Sequence, residues 1–75
     1  MKLKSNIRRF REGDQWGCPR QSQHGAGWLI DWFKSNGNFE GASLARGKDL
    51  EWIIDNPEAV IKLQARVRTW RESLT

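Results

Sequence analysis

The sequence predicts a mainly α fold: a single small domain of three or four short helices with a tryptophan-rich core and a long glycine-containing loop. Three observations lead to this prediction. The chain has 75 residues, it contains five tryptophans, and its apolar residues recur at helical spacing, most clearly toward its C-terminal end. A chain of this length normally forms one domain, here residues 1–75, and no deep substrate cavity is expected in it.

The longest predicted helix lies within residues 55–74. Asp55 or Asn56 is suited to cap its start, and Pro57 is suited to its first turn, where a missing N–H costs nothing. Five apolar residues follow at intervals of three and four, namely Val60, Leu63, Val67, Trp70 and Leu74. The stripe that they form is either a core face or the seam of a homodimer.

Four cations on this helix form a secondary basic patch. On a helical wheel Arg66 and Arg71 flank the apolar stripe on opposite sides. Lys62 and Arg68 lie farther round, again on opposite sides, so the four do not form one ridge. In one interpretation these four cations stabilise the helix and make it soluble, and in the other they bind a polyanion.

A second helix is predicted over residues 26–37. Leu29, Trp32 and Phe33 share a helical face, and Gly37 is placed to end the helix in a left-handed conformation. Residues 37–47 contain three glycines, which favour a loop. Residues 48–56 are then predicted to form a short helix or a strand, and helix is preferred because Leu50, Ile53 and Ile54 have helical spacing.

The N-terminal end predicts a short helix led by Ser5 and ending before Gly13, because Leu3, Ile7 and Phe10 recur at spacings of four and three. A strand over residues 1–5 is the alternative. Residues 13–27 contain four glycines and a proline among polar residues, and they are predicted as a long linker, mobile or functional.

The charge is unevenly distributed along the chain. Residues 1–20 hold six basic and two acidic side chains, residues 21–61 hold three basic and six acidic, and residues 62–75 hold four basic and one acidic. The basic N-terminal segment, residues 1–20, is therefore the first candidate for binding nucleic acid or an acidic partner. Its candidate binding residues are Lys2, Lys4, Arg8, Arg9, Arg11, Trp16 and Arg20.

The tryptophans divide into two groups. Trp28, Trp32, Trp52 and Trp70 have apolar neighbours and are predicted to supply the core. Trp16 lies in a polar turn beside the arginines, where no periodicity assigns it to a buried face. Tryptophan next to cations is typical of a nucleic-acid stacking platform and of a protein-interface hot spot, although packing against the core is an equal alternative.

No residue pattern favours an enzyme, a metal site or a cofactor. Cys18 and His24 are too few ligands for a closed zinc site, and no oxyanion site accompanies them as a nucleophile and base. The single cysteine fits a reducing cytoplasm, and no apolar run approaches the length of a membrane span. A helix-turn-helix with Gly37 in the turn fits poorly, because a small residue is expected where Phe33 stands.

The first functional hypothesis is therefore a small non-catalytic nucleic-acid-associated protein, such as a regulator, that binds phosphates through its basic N-terminal segment. The alternative is a protein-binding inhibitor or adaptor of the phage and mobile-element accessory type, directed at an acidic surface of a host protein. A third possibility is a structural protein that dimerises through the C-terminal helix. Arginine and tryptophan serve both nucleic-acid and protein interfaces, so composition does not separate the first two.

Overall fold

The structure, a computed structural model, describes residues 9–25 and 27–74 as a four-stranded antiparallel sheet followed by two helices. The strands lie in the order of the chain: β1 (Arg11–Glu12), β2 (Gln15–Gln21), β3 (Trp28–Phe33) and β4 (Phe39–Leu44). The helices α1 (Gly47–Asp55) and α2 (Pro57–Ser73) come after the sheet. The prediction of a mainly helical domain with three or four helices is therefore wrong.

The predicted helix over residues 26–37 is replaced by β3 and the turn after it. Residues in β3 alternate between the two faces of the sheet, so Trp28, Ile30 and Trp32 share one face. β3 lies between β2 and β4 and has apolar residues on both faces. A short apolar run of this kind fits helical and strand spacing equally. Gly37 does adopt a positive φ of 88°, but it does so in the β3–β4 turn.

The predicted linker over residues 13–27 contains β2, and Pro19 lies inside that strand. β1 pairs only with Gln15 and Trp16, so among the described residues no strand pairs with the outer edge of β2 beyond Trp16. Pro19 is fully buried there, and its carbonyl oxygen accepts a hydrogen bond of 2.8 Å from Gln64 Nε2 of α2. Proline has no N–H to donate to a neighbouring strand, and here a side chain of α2 pairs with its carbonyl oxygen.

The predicted loop over residues 37–47 contains β4, the outer strand opposite β1. Its glycine-containing sequence FEGASL fits an outer position, where most of its residues are exposed. Gly41 has a φ of 147°, and the pairing register shifts where β4 passes Trp32 and Phe33. Phe39 and Leu44 remain 56% and 55% exposed.

At the N-terminal end, residues 1–8 lie outside the described part of the chain, and with them lies the alternative strand over residues 1–5. Residues 9 and 10 form a turn and Arg11 and Glu12 form β1, so the helix predicted to end before Gly13 does not extend over residues 9–12. Phe10 is buried, and its carbonyl oxygen accepts a hydrogen bond of 2.7 Å from the Gly17 N–H. A side chain on Gly17 would collide with Ile30 and Phe10, which explains the glycine.

The two helices fall within the ranges that the apolar spacing predicts, residues 48–56 and 55–74, apart from the first residue of α1. Asn56 separates them; its backbone and side-chain N–H groups both donate to the Trp52 carbonyl oxygen, so it ends α1 and makes no side-chain cap for α2. The α2 stripe is only partly buried: Val60, Leu63 and Val67 are buried, whereas Trp70 is half-buried and Leu74 is 44% exposed. Its buried members join residues of the sheet and of α1 in one core: Phe10, Ile30, Phe33, Ala45, Ile53, Val60, Leu63 and Val67.

The tryptophans surround this core and are not its buried centre. Trp28, Trp32, Trp52 and Trp70 are half-buried and pack against the core residues. The buried centre consists mainly of aliphatic and phenylalanine side chains, such as Ile53 and Leu63, each 1% exposed. Each tryptophan therefore keeps part of its ring at the surface.

Candidate functional site

The candidate residues of the basic N-terminal segment separate in the structure. Lys2, Lys4 and Arg8 lie outside the described residues. Arg9 packs on α1, where its Nη2 lies 3.4 Å from Asp49 Oδ1 and donates to the Lys48 carbonyl oxygen at 3.3 Å. Its guanidinium lies 6.0 Å from the Phe10 ring centroid and 5.9 Å from that of Trp52. Arg9 thus connects the segment before β1 to α1.

Arg20 is also paired within the chain. Its Nε donates a hydrogen bond of 2.9 Å to Asp31 Oδ2 on the neighbouring strand. This hydrogen bond, together with the charge of Asp31, raises the pKa of Arg20 above its usual value. The charge of Arg20 is therefore offset locally, and Arg20 does not join Arg11.

Arg11 and Trp16 do lie together. The Arg11 guanidinium carbon is 4.1 Å from the Trp16 ring centroid, and Arg11 Nε donates to the Gly13 carbonyl oxygen at 2.9 Å. The half-buried Trp16 ring lies 5.9 Å from the Trp70 ring of α2, with an angle of 49° between the ring planes. Trp16 is thus packed between a cation of β1 and a tryptophan of α2.

Helix α2 adds two cations to this group. Arg66 and Trp70 line two adjacent depressions, one of about 190 Å³ with Trp16 and Val67 and one of about 600 Å³ with Lys62. None of the described residues that line these depressions is acidic. We call this group the tryptophan–arginine surface; it consists of Arg11, Trp16, Lys62, Arg66 and Trp70.

Another depression lies on the opposite side of α2 from the tryptophan–arginine surface. The register of β2 and β3 pairs Trp16 with Phe33 and Cys18 with Asp31, so these residues share the sheet face that α2 approaches. The depression there has a volume of about 600 Å³. We call it the polar cleft, and its lining includes Cys18, Arg20, Asp31, Phe33, Arg68, Arg71 and Glu72.

Two of the three arginines that line the polar cleft, Arg20 and Arg71, are held by neighbouring groups. Arg71 Nε donates to the Gly37 carbonyl oxygen at 2.9 Å, and its guanidinium carbon lies 4.2 Å from the Phe33 ring centroid. Asp31 and Glu72 bring negative charge into the same lining. The buried Asp31 Oδ1 accepts no hydrogen bond from the described residues. This cleft is therefore a mixed-charge site in which two arginines are held by contacts within the chain.

Cys18 and His24 do not form a nucleophile–base pair in the described chain. Burial and, to a smaller extent, the charge of Asp31 raise the pKa of the Cys18 thiol from 9.0 to about 11, and Arg68 and Arg71 partly oppose this shift. The thiol is therefore protonated at neutral pH and is a poor nucleophile. His24 is exposed in the β2–β3 turn. No group of three or more potential metal ligands occurs among the described residues.

Comparisons with protein-family models, with curated proteins and with solved structures found no match. No helix in the described part of the chain is long and apolar enough to cross a membrane.

Sequence reasoning assigned Trp70 to the core and did not include it among the site residues. The helical wheel places Arg66 and Trp70 on neighbouring positions of α2, and this indicated that Trp70 lies beside a candidate cation. The contact with Trp16 had no such indication, because it depends on β2, which was predicted as a linker.

Proposed function

We propose that this protein is a small non-catalytic nucleic-acid-binding protein whose phosphate-binding site is the tryptophan–arginine surface. The observation that carries this proposal is the convergence of three cations and two tryptophans from β1, β2 and α2 on a surface whose depressions have no acidic lining residue among those described. Cations interleaved with aromatic rings are the composition of nucleic-acid-binding grooves.

The arrangement of Arg11 supports this function. Its Nε is fixed by the Gly13 carbonyl oxygen and its guanidinium lies over Trp16, so the side chain is ordered before a ligand arrives. An ordered guanidinium loses less conformational entropy on binding a phosphate than a free one does. Lys62 and Arg66 are four residues apart on α2 and extend the positive surface by one helical turn.

This proposal relocates the binding residues within the basic candidates. Arg9 is paired with Asp49 and Arg20 with Asp31. The two arginines therefore contribute less to phosphate binding than their charge alone suggests. Arg11 and Trp16 remain from the N-terminal segment, and Lys62 and Arg66 join them from the secondary basic patch. We place the activity in the cytoplasm, where a free cysteine such as Cys18 stays reduced.

The test compares wild type with the triple variant Arg11→Gln, Lys62→Gln and Arg66→Gln in fluorescence-anisotropy titrations of labelled oligonucleotides. We expect the variant to bind more weakly. We also expect the slope of log affinity against log salt to flatten by up to about 0.7 per lost contact on single strands and about 0.9 on duplex DNA. Circular dichroism checks that both proteins are folded.

A matched control removes the same charge elsewhere. Lys34, Arg46 and Lys48 are exposed cations outside both depressions of the tryptophan–arginine surface, and their triple glutamine variant lowers the net charge equally. The proposal fails if this control loses as much affinity as the site variant. It also fails if wild type binds neither DNA nor RNA at low salt. Nuclease-resistant capture of an acidic protein by such a wild type would favour the protein-binding alternative.

A further inference from the structure

We infer that the tryptophan–arginine surface selects unpaired nucleobases, with Trp70 as the residue on which a base stacks, so that the ligand is single-stranded nucleic acid. This inference rests on the proposed function and specifies its ligand. Every nucleobase has a π face, so a stacking site of this kind recognises strandedness with little preference for sequence.

Trp70 is the tryptophan in the better position for stacking. The Trp16 ring has Arg11 over it at 4.1 Å and Trp70 beside it at 5.9 Å, so its contacts are largely occupied within the chain. Trp70 lines both depressions and is half-buried, so part of its ring is accessible from two directions. Trp70 is therefore the tryptophan that lines both depressions, whereas Trp16 lines only the smaller one.

The polar edge of Trp70 supplies a hydrogen-bond donor. No hydrogen bond joins its indole N–H to another described residue, so a carbonyl of the stacked base can accept one from it. By contrast, the Trp32 indole N–H is already bonded to Ser43 Oγ at 2.9 Å.

The size of the smaller depression limits what enters it. Its volume of about 190 Å³ exceeds the roughly 150 Å³ of an engineered apolar cavity that holds benzene. One planar base fits such a space, whereas a base pair does not. Buried Val67 supplies an apolar floor and Arg66 a cation at the rim, which suit a base with its adjoining phosphate.

Duplex nucleic acid does not offer the same contact. Its bases are stacked on one another, and a ring face becomes accessible only when the base leaves the stack. A duplex therefore interacts with Lys62, Arg66 and Arg11 through its phosphates and leaves the Trp70 ring unused. The two ligands differ in their use of one side chain, which makes the inference testable.

The experiment uses four fluorescein-labelled ligands of equal length: single-stranded DNA, single-stranded RNA, a single strand with abasic sites throughout, and duplex DNA. Wild type is expected to bind the DNA or RNA single strand about fivefold to 150-fold more tightly than the abasic strand, the range expected from stacking of one base. The comparison of DNA with RNA identifies which of the two sources of unpaired bases is preferred.

Trp70→Leu keeps an apolar side chain and removes the ring. We expect it to lower affinity for the base-containing single strand toward that for the abasic strand, and to leave duplex affinity within about twofold. Trp32→Leu is the matched control, because Trp32 is a half-buried tryptophan outside both depressions. It should leave all affinities unchanged in a folded protein.

The outcomes separate this inference from the proposed function. If wild type binds the intact and abasic strands equally, with a salt dependence that the Arg11, Lys62 and Arg66 variant flattens, phosphate binding stands and base stacking is refuted. If Trp70→Leu weakens duplex and single-strand binding equally, selective stacking is also refuted. If wild type binds none of the four ligands, the proposed function itself fails.

Discussion

The tryptophan–arginine surface and the polar cleft lie on opposite sides of α2, and both contain cations of that helix. In the polar cleft, Arg71 is bonded to the Gly37 carbonyl oxygen, Arg20 is bonded to Asp31, and Glu72 adds negative charge. On the tryptophan–arginine surface, Arg66 and Lys62 adjoin Trp70 with no acidic lining residue among those described.

This difference shows that the number of cations on a helix does not predict their role. A cation paired with a carboxylate of the same chain, such as Arg20 with Asp31, stabilises the fold, and its charge is partly neutralised for any ligand. A cation beside an aromatic ring and away from acids keeps its charge available. The buried Val67 lines both the cleft and the smaller depression, so the two surfaces are separated by little more than the width of the helix.

The largest expected loss of stability comes from shortening a core side chain of α2, the helix that carries both surfaces. Leu63 is 1% exposed in the core beneath α2, so Leu63→Ala should lower the free energy of unfolding by about 2–5 kcal/mol. Urea denaturation measures this change. Ile61→Ala is the matched control, because Ile61 is 65% exposed on the same helix and its loss should change stability by no more than about 0.5 kcal/mol. Equal effects of the two variants would contradict the assignment of this face of α2 to the core.

An intermediate effect should distinguish the two sides of α2. Arg71→Gln removes a charge-assisted hydrogen bond to Gly37 and the contact with Phe33, so it should lower the free energy of unfolding by about 1–2 kcal/mol. Arg66→Gln should change it by less than about 0.5 kcal/mol. Urea titrations of the two single variants provide the comparison. If Arg66→Gln proves as destabilising as Arg71→Gln, the two sides do not differ in the way described.

The smallest expected effect concerns the thiol in the polar cleft. Burial raises the pKa of Cys18 to about 11, so the folded state holds this proton more tightly than the unfolded state does. The resulting stabilisation is complete below pH 9.0 and is lost as the pH rises through about 11. Wild type should therefore lose stability more steeply over this interval than Cys18→Ala, as measured by urea denaturation at several pH values. Parallel pH profiles would show that the thiol is not buried as described.

The strands were missed for reasons that particular residues illustrate. Leu29, Trp32 and Phe33 fit a helical face, but Trp28, Ile30 and Trp32 fit a strand face equally, and only pairing with β2 and β4 decides between them. Pro19 and Gly17 indicated a loop, yet both lie in β2, where Gln64 bonds to the Pro19 carbonyl oxygen and Gly17 lets Phe10 and Ile30 pack closely. Arg11, Trp16 and Arg66 were recognised as candidates from the sequence, whereas the contact between Trp16 and Trp70 was missed together with β2.

By itself, the sequence determined the course of α2 and the division of its cations. Helical periodicity is local, so the spacing of Val60, Leu63 and Val67 was enough to place Arg66 and Arg71 on opposite sides of the stripe. In the structure Arg66 lines the smaller depression and Arg71 lines the polar cleft. The tertiary structure alone decided that Trp16 meets Trp70 and that Arg20 meets Asp31. These contacts depend on strand pairing between distant residues, whose register is set by burial of the whole sheet and not by neighbours in the chain.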